Sequence, residues 1–169
     1  MILSYTRNKN ASTIDLGDDS ILSRATVEDT FFAATVEMVI RLPDLEITSV
    51  NATIKRSFSG ECQKVTPLLE KIQGLRIGPG IIKAIEATAG GPDKCQRMAD
   101  LVWECCNSVI LRFTAPSLKE RFLIEDPEKK KEAQRESIKE NPRLIGSCIA
   151  FAPGSPLLEG IEIPEEEGR

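Results

Sequence analysis

FFAATVEMVIRLPDLEITSVNATIKRSF, residues 31–58, is the stretch on which the fold class turns. In its first half Ala34, Val36, Met38 and Ile40 share one face of an extended chain, with Thr35, Glu37 and Arg41 on the other. That is the two-residue period of a half-buried strand. Pro43 and Asp44 make a turn. From Ile47 to Phe58 the alternation resumes, Val50, Ala52, Ile54 and Phe58 on one face, Asn51, Thr53, Lys55 and Ser57 on the other. Two matched runs around a short turn form an antiparallel hairpin with one wet face. Upstream, residues 1–16 alternate weakly through Leu3, Tyr5, Ile14 and Leu16 and read as an edge strand. Gly17-Asp18-Asp19-Ser20 is a turn signal, and residues 21–29 read as a second strand or as an irregular approach to the hairpin.

Downstream the period changes. After Ser59-Gly60 and a short helix with Val65, Leu68, Leu69 and Ile72 on its face, residues 74–113 read GLRIGPGIIKAIEATAGGPDKCQRMADLVWECCNSVILRF. Pro79 suits a first helical position, where its missing N–H has no partner in any case. Gly90 and Gly91 suit a helix end. Pro92 and Asp93 then open a longer helix, with Cys95, Met98, Ala99, Val102, Cys105, Cys106, Val109 and Phe113 at helical spacing. Leu101, Trp103 and Ile110 lie off that stripe, so the helix is apolar over more than one face and reads as a core helix. Ser117 with Glu120 is a capping box opening another helix, which Asp126-Pro127 restarts as the charged run EKKKEAQRESIKEN and Pro142 ends. Strands first and helices afterwards predict an α+β fold, an antiparallel β-sheet from the N-terminal half covered by helices from the C-terminal half. Residues 1–151 read as one domain and the acidic, Pro- and Gly-rich residues 152–169 as a loose tail.

Composition bounds the function. The 169 residues are 41% hydrophobic and 28% charged, ordinary values for a soluble globular chain. A net charge of −4 argues against nucleic acid as the main partner. No apolar run approaches the roughly 18 residues of a membrane span, and MILSYTRNK lacks the character of a signal peptide, so a cytoplasmic protein is expected. Five cysteines, an odd number without a CxxC, suit a reducing compartment. There is no histidine at all, which removes Ser-His-Asp and Cys-His catalysis and His-ligated zinc together.

Candidate sites follow from the residues left. Cys105 and Cys106 lie mid-helix among core residues and read as packing groups. Cys95 and Cys106 share a helix face but stand about 16 Å apart along the axis, too far for one metal. Cys62 and Cys95 sit at element boundaries. A helix N-terminus with Lys94 and Arg97 nearby favours a thiolate at Cys95. The glycine-rich turn from Gly74 to Gly80 suggests an anion site formed by Arg76, Gly78, Gly80, Lys83 and Arg97. It does not match GxxxxGK[ST], and Pro79 removes one amide.

LRIGPG, a helix, then GGxxxC opening the next helix resembles the domain-of-unknown-function 2889 family, over most of residues 1–151. In that family the Cys of GGxxxC is followed by a run containing His, as in GCTHL; here Lys94-Cys95-Gln96-Arg97-Met98 places Arg97 at that position. The family carries no established activity. A second resemblance, to IscU-type iron–sulfur scaffold proteins, rests on the hairpin, Cys62 after it and Cys95 at a later helix start. That likeness implies that Asp29, Cys62, Cys95 and Cys148 converge at one end of the sheet and hold Zn or an iron–sulfur cluster. The scaffold's first Cys would fall near Asp29-Thr30, where this chain has none, and its ligating His is also absent.

The leading functional expectation is therefore a non-catalytic module binding a metal, a cluster or a small ligand. Behind it stands a protein–protein interaction domain, pairing with a partner or a second copy through the charged helix 118–140. An enzyme using Cys95 as a thiolate on an activated acyl substrate comes last.

Overall fold

A computed structural model describes residues 4–113, 123–140 and 142–161. The chain divides into two compact units, residues 1–113 and 114–169. The expected domain end at residue 151 falls inside the second. The capping box at Ser117–Glu120, the first residues of the charged helix and the last eight residues of the expected tail lie outside the described residues.

The first unit is α+β. Four strands, β1 (Arg7–Gly17), β2 (Ser20–Asp29), β3 (Ala33–Arg41) and β4 (Glu46–Arg56), form an antiparallel meander in the order β1-β2-β3-β4. Asp18 and Asp19 both take positive φ between β1 and β2, the geometry of a tight two-residue hairpin whose twist matches its strands. Residues 21–29, left open by their pattern, are regular strand, with Ile21, Ser23, Ala25, Val27 and Asp29 buried.

The apolar column of β3 is as the alternation predicts, Ala34, Val36, Met38 and Ile40 all buried. On β4 the pattern breaks. Ala34 pairs with Ile54, Val36 with Ala52 and Met38 with Val50, but Ile40 then pairs with Ile47 across a register shift. An extra residue on one strand is a β-bulge. Strict alternation from Ile54 would have turned Thr48 inward and Ile47 to solvent. The bulge restores Ile47 to the core, and the Thr48 hydroxyl donates to the Val39 carbonyl at 3.1 Å. Phe58, expected on the apolar face, is 97% exposed, because the chain leaves the sheet at Arg56 for the turn capped by Ser59.

A 3₁₀ turn (Gly60–Val65) and α1 (Thr66–Leu69) lead to α2 (Ile81–Ala89) and α3 (Gln96–Arg112). Both main helices start later than their prolines suggest. Gly80, at φ 89°, is the residue before α2, a left-handed position that glycine takes without steric cost, and Pro79 belongs to the turn ahead of it. Gly91, at φ 92°, turns the chain after α2, and Pro92 to Lys94 fill the connection, so α3 begins only after Cys95. Met98, Ala99, Leu101, Val102, Cys105, Cys106 and Val109 bury α3 against the sheet and α2. Trp103 and Ile110 do not complete a second buried face; they are 38% and 44% exposed. The Ser23 hydroxyl, wholly buried, donates to the Cys105 carbonyl at 2.9 Å and ties β2 to α3.

In the second unit, α4 (Pro127–Glu140) is capped by Asp126, whose carboxylate accepts from the Glu128 and Lys129 amides at 2.9 and 3.1 Å. Ile138 is buried, as is Leu158 in the 3₁₀ turn Pro156–Leu158 against which α4 packs. Among the described residues no helix is long and apolar enough to cross a membrane.

Candidate functional site

The most heavily bonded side chain in the first unit is Asp29, at the end of β2. Its side chain is fully buried. One carboxylate oxygen accepts from the Phe31 and Phe32 amides at 2.8 and 2.7 Å, closing the turn into β3. The other accepts from Arg7 Nε and Nη2 at 3.2 and 2.9 Å, from Arg97 Nη1 at 3.3 Å and from the Tyr5 hydroxyl at 3.3 Å. Arg56 Nη2 donates to the Asp29 carbonyl at 2.6 Å. Burial by itself would raise the Asp29 pKa. The Phe31 amide, Arg7, the Phe32 amide and the charge of Arg97 outweigh it and hold the group down to about 2. Asp29 is thus a fixed anion, saturated with donors.

Its neighbours arrive by ordinary means. The register of β1 on β2 sets Arg7 opposite Asp29 and Lys9 opposite Val27. The first turn of α3 carries Arg97, whose guanidinium lies 5.1 Å from the Phe32 ring centroid. Tyr5 stacks near Phe31 with centroids 6.5 Å apart, and the Arg7 guanidinium lies 5.6 Å from the Tyr5 ring. Arg7, Lys9, Val27, Asp29, Arg97, Asp100 and Leu101 line a small cavity of about 60 Å³. Val27 and Leu101 give it an apolar wall, while Arg7 and Arg97 stay 42% and 46% exposed.

Of the expected anion-site residues, only Arg97 reaches this cavity. Arg76 pairs with Asp44 at 3.3 Å, and its backbone bridges to Glu46. Gly78 accepts the Ile81 amide at 3.1 Å, Gly80 forms the left-handed turn and Lys83 is exposed on α2. The glycine-rich turn thus spends its groups on its own closure and on the neighbouring edge of β4.

The expected metal ligands lie on separate elements. Cys62 is half-buried in the turn Gly60–Val65, and Cys95 is half-buried as the residue before α3, its side chain making no capping hydrogen bond. Cys148 is exposed in the second unit. Among the described residues no three His, Cys, Asp or Glu side chains come together where they could hold a metal ion. The surroundings of Asp29 do not fit one either, because two guanidinium groups already occupy the oxygen a cation would need. Burial pushes the Cys105 and Cys106 thiols up to about 12, and Cys105 donates to the Ser23 and Val36 carbonyls, so both are packing groups.

The profile of a family described as "Protein of unknown function (DUF2889)" matches residues 11–110, more than half of the chain. The chain belongs to the DUF2889 family. The DUF2889 match runs from within β1 to within α3, inside the first unit and across Asp29 and Arg97, with Arg7 and Lys9 just ahead of it. No curated protein and no solved structure matches. The likeness to IscU-type scaffolds therefore gains no support beyond the residues that suggested it.

Arg7, Lys9 and Arg56 escaped the sequence reading. The signal was present in the spacing of Arg7 and Lys9, two cations on one face of an edge strand, but it needs the β1–β2 register to become a site.

Proposed function

We propose that this domain is a non-catalytic binding module whose small acidic ligand sets an anionic group in the cavity between Arg7, Lys9 and Arg97. The observation that carries this reading is the surplus of cationic donors there. A guanidinium has five N–H donors; Arg7 gives two to Asp29 and Arg97 gives one. Lys9 forms no ion pair among the described residues, although it lines the same cavity. Three cations thus face two carboxylates, Asp29 and Asp100. The volume of about 60 Å³ is that of about two liquid waters, enough for a carboxylate or phosphate group. Planar, half-exposed guanidiniums already held by a buried acid are pre-set for bidentate recognition. A role for Asp29 as general acid or base is disfavoured by its saturation and lowered pKa.

Titration of the ¹⁵N-labelled chain with inorganic phosphate and, separately, with succinate tests the reading by NMR. Saturable shifts at the Arg7 and Arg97 side chains, at about millimolar concentration and weakened about tenfold or more by Arg97→Gln, are expected. Shifts that do not saturate, or that Arg97→Gln leaves unchanged, refute it.

A further inference from the structure

β1 is an outer strand of eleven residues, exposed along its length except for half-buried Thr13. Its far edge pairs with nothing among the described residues, whereas most sheet edges are shortened, bulged or covered. No proline interrupts it, and its one irregularity lies at the end, between Asp15 and Gly17. The charges along it are sorted. Arg7 and Lys9 stand at one end, Asn10-Ala11-Ser12-Thr13 in the middle is neutral, and Asp15 stands at the other end, followed by Asp18 and Asp19 in the turn.

A strand sorted in this way complements a second copy of itself only when the two run antiparallel. Two-fold antiparallel pairing sets residues of the same parity opposite one another, and two centres bring opposite charges together. About Ala11, Arg7 meets the partner's Asp15. About Ser12, Lys9 meets the partner's Asp15. Arg7 is already committed to Asp29, while Lys9 has no ion-pair partner among the described residues. Asp15 is paired on one side by Arg112 and is 64% exposed, which leaves room for a second cation. The charges select Ser12 as the centre. Ile14 and Leu16, 54% and 50% exposed, then lose contact with water against the partner's Asn10 and the partner's Asn8.

We propose that two copies of this chain associate by pairing β1 with the partner's β1 about Ser12, so that one antiparallel sheet continues through both copies. Each dimer then holds two Lys9–Asp15 contacts between copies. This pairing does not rest on the anion reading, although it shares Lys9 with that cavity, and its test contains no ligand.

Sedimentation of the full chain, from about 5 to about 200 μM at low salt, reads the association, because charge pairs at a rim weaken as salt rises. A concentration-dependent dimer is expected. Lys9→Glu should weaken it about tenfold, since like charges then face each other twice, and adding Asp15→Lys should restore it. Ser12→Cys in a Cys148→Ser background should cross-link to itself under mild oxidant, and Asn8→Cys should not, because only the residue on the two-fold axis meets its own copy. A monomer at every concentration overturns the proposal. So does a dimer equally strong in Lys9→Glu, or one in which Asn8→Cys cross-links as readily as Ser12→Cys. Circular dichroism of each variant confirms the fold, and the Ser12→Cys result decides the matter even where a charge variant does not fold.

Discussion

Along β4 the chain covers its own sheet edge, and along β1 it does not. The Ile47 amide donates to the Leu75 carbonyl and the Gly74 amide to the Ile47 carbonyl, both at 2.8 Å, while the Ile77 amide donates to the Leu45 carbonyl at 3.0 Å. Farther along, the Gln63 side chain donates to the Ile54 carbonyl at 2.9 Å. On the opposite side, the outer edge of the eleven-residue β1 pairs with nothing among the described residues. An uncovered strand is a pairing template, and charges are the cheapest way to choose what pairs. The glycine-rich turn that first invites a phosphate reading is, in place, the seal of the β4 edge. Arg7 and Lys9, which no local pattern singles out, line a cavity on the β1 side.

Three substitutions probe this asymmetry. The largest effect is expected from Ile47→Ala. Ile47 is wholly buried at the bulge where β4 meets its cover, and truncation there should destabilise the unit by about 2–5 kcal/mol, read as a lower urea midpoint at unchanged slope. A loss under about 1 kcal/mol would mean that the bulge does not anchor that edge. Next comes Asp29→Asn, which loosens β1 through Arg7. Because the folded pKa, about 2, lies below the ordinary 3.8, the ionised group contributes stability in full above about pH 4. That contribution is lost as pH falls through about 2. The native melting temperature should therefore drop between about pH 4 and pH 2 more steeply than that of Asp29→Asn; parallel curves would remove Asp29 as the anchor of β1. The smallest effect is expected from Gln63→Ala, about 1 kcal/mol for one neutral hydrogen bond to an edge carbonyl, with faster amide exchange confined to β4. Exchange that rises equally in β1 would erase the distinction between the edges.

How much of this was legible in the residues depends on range. The β3–β4 hairpin, the apolar column of β3 and the packing role of Cys105 and Cys106 follow from local periodicity, and the structure bears them out. The bulge at Thr48 was invisible, because Ile47 and Thr48 are both β-branched and either suits a strand. The late helix starts were missed for a related reason: Pro79 and Pro92 satisfy the turns before α2 and α3 as well as they would satisfy first helical positions. Arg97 was singled out, but for a glycine-rich turn it does not reach; only the docking of α3 on the sheet shows that it meets Asp29. Asp29 itself was picked by resemblance, as a ligand, when its partners are two amides, a phenol and two guanidiniums.

The shared oxygen of Asp29 has one more consequence. Tyr5, Arg7 and Arg97 all lean on a single atom, so their contributions do not sum: each one removed lets the others shift to fill its place. The effect of a change at position 5, 7, 29 or 97 is therefore conditional on what stands at the other three.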